Sequence, residues 1–278
     1  MLLAICSLKG SPGATTLAAA LGARWPAGQN PILVEADPAG GDLMARFRLA
    51  DAPSLVTLAV AARRSTDLGL LARHTQRLPG GLRAVIGPVG AEQSRSALSV
   101  LAFGGLSTLR RAADQPDTTV IADCGRVDPD SPALPIIRNS DAMLLVARPH
   151  DDELAHVALK LREVQRWSRR PCFVLIGDGY PTRAVSQALR IPVLGRVPRD
   201  DKGAAVLCGH SNSRHSPVKS RLGEAAARIA ILALAHRHAG NRDGTGPPSA
   251  RRKTVPGTPV SGATLQPLCS RTRNGADT

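Results

Sequence analysis

The sequence predicts an α/β domain of three layers, a mostly parallel sheet with helices on both faces. Three observations carry this. Short apolar or β-branched runs alternate with longer stretches of helical period along residues 1–239. The short runs are apolar throughout rather than at every second residue, as strands buried on both faces require. The chain has 278 residues, 43% of them hydrophobic, enough for one substantial core and a tail but a tight fit for two full domains.

Strands are expected at residues 2–6, 31–35, 82–87, 118–123, 142–147, 172–176 and 192–194. Helices are expected between them at 15–24, 54–62, 68–76, 92–113, 151–167, 181–189 and 220–238. The first run, Met1-Leu2-Leu3-Ala4-Ile5, passes straight into a Gly/Pro turn and lacks both a basic leader and a small-residue cleavage site. It reads as a buried strand, and the protein as cytoplasmic. The last helix is rich in alanine and reads as packing on the sheet rather than lying on lipid. From Gly240 the chain turns to Gly, Pro, Ser, Thr and Arg with little apolar period. Residues 240–278 are therefore expected to form a disordered basic tail, with Arg251-Arg252-Lys253 as its densest charge.

Composition narrows the functional classes. Cys6, Cys124, Cys172, Cys208 and Cys269 show no CxxC pair and no ligand-like spacing, so neither a zinc site nor a disulfide framework is expected. Cys6, Cys124 and Cys172 fall at or beside strands and read as core filler. No apolar run approaches the roughly 18 residues that would span a bilayer. The formal charge of +14 attracts polyanions without sequence readout, which allows non-specific DNA contact. The basic residues are dispersed, however, and an aromatic content of 2% is too small for a base-stacking surface.

The chemistry lies in the loop after the first strand. Leu8-Lys9-Gly10-Ser11-Pro12-Gly13-Ala14-Thr15-Thr16 joins an apolar strand to a helix, the context in which backbone N–H groups and a helix N-terminus face phosphate oxygens. Set on the G-x-x-x-x-G-K-[ST] pattern, Gly13 and Thr15 keep the second glycine and the Mg²⁺-holding hydroxyl, whereas Leu8 stands for the first glycine and Ala14 for the lysine. Alanine brings no charge to the β/γ-phosphates, and phosphoryl transfer depends on such charge. Farther along, Glu35-Ala36-Asp37-Pro38 ends the second strand, where an open α/β sheet presents its ligand crevice. The run Val120-Ile121-Ala122-Asp123 ends in a carboxylate that can hold Mg²⁺ opposite Thr15.

From Lys9 to Thr16 the chain resembles the MinD/ParA family of P-loop ATPases, whose deviant loop reads K-G-G-x-G-K-T-T. The departures are Ser11 for glycine and Ala14 for lysine. The resemblance extends to the D-x-D-P strand at Asp37, a Walker B strand at Asp123, the apolar run 142–147 closed by Pro149, and a G-x-x-P-x-D segment from Gly195 to Asp200. It covers about residues 1 to 238. It implies a three-layer P-loop NTPase fold that takes ATP or ADP with Mg²⁺. Lys9, Gly10, Ser11, Pro12, Gly13, Ala14, Thr15 and Thr16 would hold the phosphates, Pro198 would lie near the adenine, and Thr15, Asp37 and Asp123 would hold the metal. Lys9 would be the signature lysine that reaches the partner's phosphates across a nucleotide-sandwich dimer. Asp37 would position the attacking water, and Glu35 matches the motif's other carboxylate. Where the family has an asparagine for the base, this chain has Gly177-Asp178.

The function so implied is a spatial-positioning or partitioning protein, a dimeric switch that engages an unidentified protein partner and hydrolyses ATP weakly or not at all. An alternative is a non-catalytic scaffold like the TadZ/CpaE group, which resembles this chain in having a weakened P-loop and localises Flp pilus or secretion machinery.

Overall fold

The structure, a computed structural model, describes residues 1–10, 12–209 and 217–242. Ser11, the expected tail beyond Arg242 and its Arg251-Arg252-Lys253 cluster lie outside the described residues. In chain order the elements are β1 (Leu2–Ser7), α1 (Ala14–Ala23), β2 (Asn30–Glu35), α2 (Leu43–Phe47), α3 (Leu55–Ala62), α4 (Leu70–Arg73), β3 (Gln76–Arg77) and β4 (Arg83–Val85). They continue with α5 (Ala91–Val100), a π-helical turn (Leu101–Gly105), α6 (Leu106–Asp114), β5 (Thr118–Arg126), α7 (Leu134–Arg138), β6 (Ala142–Ala147), α8 (Asp151–Leu159) and α9 (Leu161–Trp167). β7 (Pro171–Ile176), α10 (Thr182–Leu189), β8 (Val193–Val197), α11 (Asp201–Leu207) and α12 (Arg221–Arg242) complete it.

The strands pair in the order β3-β4-β2-β5-β1-β6-β7-β8, all parallel except the edge pair β3 and β4. Successive side chains of a strand point to opposite faces, so an apolar run feeds two cores at once. In β1, Leu2, Ala4 and Cys6 join the core under α3, α5, α6, α7, α9 and α10. Leu3 and Ile5 join the opposite core, under α1, α11 and α12. In α12 the buried positions Leu222, Ala225, Ala226, Ile229, Ala230 and Ala233 follow the helical period, and their small size lets the helix lie close on β8 and α1. This is the three-layer α/β architecture. No helix among the described residues is long and apolar enough to cross a membrane.

Several boundaries differ from the sequence expectation for local reasons. The helix expected over residues 68–76 shrinks to α4, because Leu78-Pro79-Gly80-Gly81 reverses the chain and draws Gln76 and Arg77 into a short antiparallel pair with β4. The strand expected over 82–87 is correspondingly only Arg83–Val85. The helix expected over 92–113 is interrupted by the π turn at Leu101–Gly105, where Gly104 and Gly105 are weak helix formers. The helix expected over 151–167 is divided at Lys160. β8 runs on to Val197. Helices α2, α7 and α11 were not expected, being too short to show a period. α12 continues to Arg242, past Gly240 where the tail is expected to begin.

Asp200, the last residue of the G-x-x-P-x-D segment, acts locally. Its carboxylate caps α11 by accepting from the Gly203 N–H at 2.8 Å and ties down the start of α12 by accepting from the Leu222 N–H at 3.0 Å. Replacing Asp200 by Ala removes both acceptors and is expected to cost about 1–2 kcal/mol, read as a lower urea midpoint at unchanged m-value.

Candidate functional site

The strand order reverses beside β1: the chain leaves β1 past β5 to reach β2, and later returns past β1 from β5 to β6. Such a switch point opens a crevice at the carboxyl ends of the strands. Three of the expected segments converge there. The loop of residues 7–13 leaves β1, the Asp37 turn leaves β2, and Asp123 sits in β5 between them, opposite both Ile5 and Glu35.

The loop places Lys9, Gly10, Pro12 and Gly13 ahead of α1, which opens with Ala14, Thr15 and Thr16. Gly13 is the N-cap with φ +98°, a left-handed conformation that a side chain would strain, and no neighbouring atom lies within 4 Å of where its Cβ would stand. The first helical bond runs from Leu17 N–H to Gly13 C=O at 2.8 Å, and no side chain caps α1. The amides of Ala14, Thr15 and Thr16 thus precede the helical ladder at the positive end of the helix dipole, the arrangement that binds anions. Ala14 is buried at the lysine position. Lys9 is half-buried and forms no ion pair among the described residues.

Asp123 is 1% exposed. Its Oδ1 accepts from the Gly125 N–H at 3.1 Å, whereas Oδ2 is buried with no hydrogen-bond partner. Burial pushes this carboxyl up to about 6. The nearby Thr15 hydroxyl pulls the other way without reaching hydrogen-bond geometry at Oδ2, the neighbouring Asp37 adds to the rise, and the Gly125 amide and the Arg46 guanidinium oppose it. Asp37 is likewise raised, first by burial, then by the charge of Asp42, against the Ala39 N–H at 2.7 Å and Arg126. The two carboxyls meet over Gly125, whose φ is +59° and where a Cβ would stand 2.0 Å from Asp37 Cγ. Only glycine leaves room for Asp37 beside Asp123.

Glu35 has a different place from the one its motif suggests. Its Oε1 accepts from the N–H groups of Asp42 (2.6 Å) and Leu43 (3.0 Å), and its Oε2 from that of Gly87 (2.8 Å). Burial raises the carboxyl to about 7 against these three donors. Its acceptors are committed to the loops, so Glu35 is a staple rather than a ligand.

Pro198 does not join this cluster. It follows β8, three strands beyond β1, beside the Gly177-Asp178 turn, whose Gly177 N–H donates to Val197 at 2.8 Å. The carboxyl rim therefore has two stations, with Lys9, Gly10, Pro12 to Thr16, Asp37 and Asp123 at one and Pro198 at the other. Ser11 lies outside the described residues. The sequence reading missed Arg46, Ser94 and Glu153. Ser94 is fully buried on α5 and donates to the Asp37 C=O at 2.5 Å. Glu153, 5% exposed on α8, accepts from the Arg148 N–H at 2.6 Å, and its Oε1 lies 3.4 Å from where a Gly10 Cβ would be. Arg46 is spaced four residues from Asp42, a signal that could have been noticed. Ser94 and Glu153 carry no local signal. The buried thiols of Cys6 and Cys172 are raised to about 12 and 11 by burial, as core residues.

No protein-family model matches the chain, and no curated protein matches it in sequence. Solved structures do. A ParA family ATPase from Chlorobium tepidum TLS superposes with a TM-score of 0.65 at 17% identity, covering 83% of this chain and 97% of that one. The septum site-determining protein MinD from Pyrococcus horikoshii OT3, complexed with Mg-ADP, gives 0.61 at 19% identity, with 84% and 98% covered. An ATP complex of an McdA variant from Cyanothece gives 0.61 at 14% identity, with 84% and 95% covered. The chain thus has the P-loop ATPase fold of MinD and ParA proteins.

The buried carboxyls set a pH dependence. Asp123 and Glu35 titrate at 3.8 and 4.5 when unfolded but near 6 and 7 when folded, so between about pH 4 and 7 the native state holds more protons than the unfolded one. Stability from this source is full below about pH 4 and falls as pH rises through the window. In metal-free buffer, D123N is expected to match the wild type near pH 4 and exceed it by about 1–3 kcal/mol at pH 7, read by urea unfolding across that range.

Proposed function

We propose that the chain is a MinD/ParA-like nucleotide-binding switch that positions or partitions cargo in the cytoplasm, with ATP or ADP and Mg²⁺ at the station between β1, β2 and β5. The observation that carries this reading is the buried, unpartnered Oδ2 of Asp123 facing an uncapped helix N-terminus. A buried carboxylate oxygen left without a donor is costly, and a hydrated cation is the partner that such a site lacks. The donor set fits Mg²⁺: a hydroxyl at Thr15 and carboxylates at Asp123 and Asp37, all hard oxygen ligands.

When bound at Thr15 and Asp123, Mg²⁺ would supply positive charge that offsets the charge on the phosphates. The chain's own residues do the rest. Gly10, Pro12 and Gly13 would form the cradle, and the first amides of α1 would donate to phosphate oxygens. Thr15 and Asp123 hold the metal side. Asp37, held by Ser94 through its carbonyl and by Ala39 through its carboxyl, stands where it can orient a water. Lys9 stays available for a second protomer's phosphates. Pro198 and the Gly177-Asp178 turn border the station for the base.

Ala14 supports a second reading on the same fold, a non-catalytic scaffold of TadZ/CpaE type, because the position that would bring the lysine charge is a buried methyl group. Titration calorimetry is expected to show ATP and ADP binding that weakens at least about tenfold in T15A when Mg²⁺ is present and changes little when it is chelated. Absence of any nucleotide binding would remove the switch reading. The variant A14K separates the two readings by its ATPase rate. A rise of about 10²-fold or more would mean that the remaining catalytic groups are in working order, whereas an unchanged rate supports the scaffold.

A further inference from the structure

The phosphate station lacks the lysine at Ala14, and the surrounding cations differ in how free they are to replace it. Arg126 is exposed. Arg148 is half exposed and pairs with Glu153 at 3.7 Å. Arg46, on α2, is only 21% exposed at its side chain. Its Nη2 donates to Asp42 Oδ2 at 2.6 Å, while its Nη1 is buried with no hydrogen-bond partner. A buried guanidinium nitrogen without an acceptor is costly and is expected where a ligand completes the site.

The backbone around Arg46 is held on two sides. At the start of α2, Asp42 and Leu43 are bonded to Glu35, which stands in register with Asp123. At its end, the turn after α11 presses on the Arg46 carbonyl: a Cβ on Gly209 would come within 1.8 Å of that oxygen. The side chain is therefore carried by a short helix anchored directly to the acidic centre.

We propose that Arg46 is the cation this chain uses in place of the missing loop lysine, its free Nη1 donating to a terminal phosphate oxygen of the bound nucleotide. A guanidinium suits the task because it keeps one edge on Asp42 while offering another to phosphate. The ligand class is a nucleoside di- or triphosphate, so the inference rests on the nucleotide-binding reading above. The replacement has a geometric consequence. A lysine at Ala14 would be fixed to the loop, whereas Arg46 rides on the segment that follows Asp37, so phosphate binding would pull on that segment directly.

The test measures the affinity of ADP and ATP by calorimetry for wild type, R46Q, R46K, A14K and the double variant A14K/R46Q, with urea unfolding of each as a check on folding. The expected result is a loss of about tenfold or more in R46Q at unchanged stability, partial retention in R46K, and recovery in A14K/R46Q as the restored lysine takes over. Wild-type binding with R46Q unchanged would overturn the Arg46 assignment and leave the nucleotide reading standing. Loss of both binding and stability in R46Q, with no recovery on adding A14K, would assign Arg46 to structural support of α2 and also overturn the proposal. No binding by the wild type would overturn the nucleotide reading, and the assignment with it.

Discussion

The Glu35 carboxyl accepts three backbone N–H bonds, from Asp42, Leu43 and Gly87, and the arrangement of the carboxyl rim depends on it. A parallel sheet covered on both faces has no solvent for polar groups except at strand ends. Loops leaving those ends must therefore have their amides satisfied by something that comes with the strands. Glu35, the last residue of β2, does this for two loops at once. It fixes the start of α2 against the turn after β4, and the Asp37 turn between them is then closed by Ser94 from α5 and by the Gly41 N–H on the Pro88 carbonyl at 2.7 Å. The result is a rigid scaffold around Asp37 and Asp123, on which chemistry can be placed without the loops having to order first.

Rigidity here coexists with unfinished polar groups. Oδ2 of Asp123 and Nη1 of Arg46 are both buried and unpartnered, and they have opposite charge preference. A ligand that carries both a cation and anionic oxygens would satisfy the two together, the cation at Asp123 and an oxygen at Arg46. Either group alone could be explained by its own neighbourhood. Both together, with an uncapped helix and a left-handed glycine at the same carboxyl rim, are what the proposed metal-bound polyphosphate would satisfy.

The fold was legible because it rests on features that are local in sequence. Unbroken apolar runs at β1, β5, β6 and β7 declare burial on both faces, and the longer spacings between them leave room only for crossover helices. What could not be read was whatever depends on distant partners or short lengths. The hairpin of β3 and β4 overrode a helical pattern through a Pro-Gly-Gly turn, and α2 is too short to have a period. At the site, the loop residues and Asp37 and Asp123 could be read because strand ends and glycine turns mark them. Glu35 was visible as a carboxylate, but its commitment to the backbone amide of Gly87, 52 residues away in the chain, was not. The Arg46–Asp42 pair follows a four-residue spacing, but the burial of Arg46 and the position of Glu153 come from packing between elements, which no spacing rule encodes.

This difference bears on how the missing lysine should be understood. Loss of one loop cation in a site that was merely decaying would leave the other demanding features free to drift, since each is costly to keep: a buried carboxylate, an arginine nitrogen without an acceptor, a glycine at φ +98° and another pressed against Asp37. All of them are in place. On the Arg46 assignment the charge sits not on the helix that is fixed to the sheet but on a helix that follows the Asp37 turn. A cation on the fixed helix binds phosphate whatever the turn does. A cation beyond the turn meets phosphate in the position that the Glu35, Ser94 and Pro88 bonds give the turn, so the bonds that place Asp37 place the cation as well.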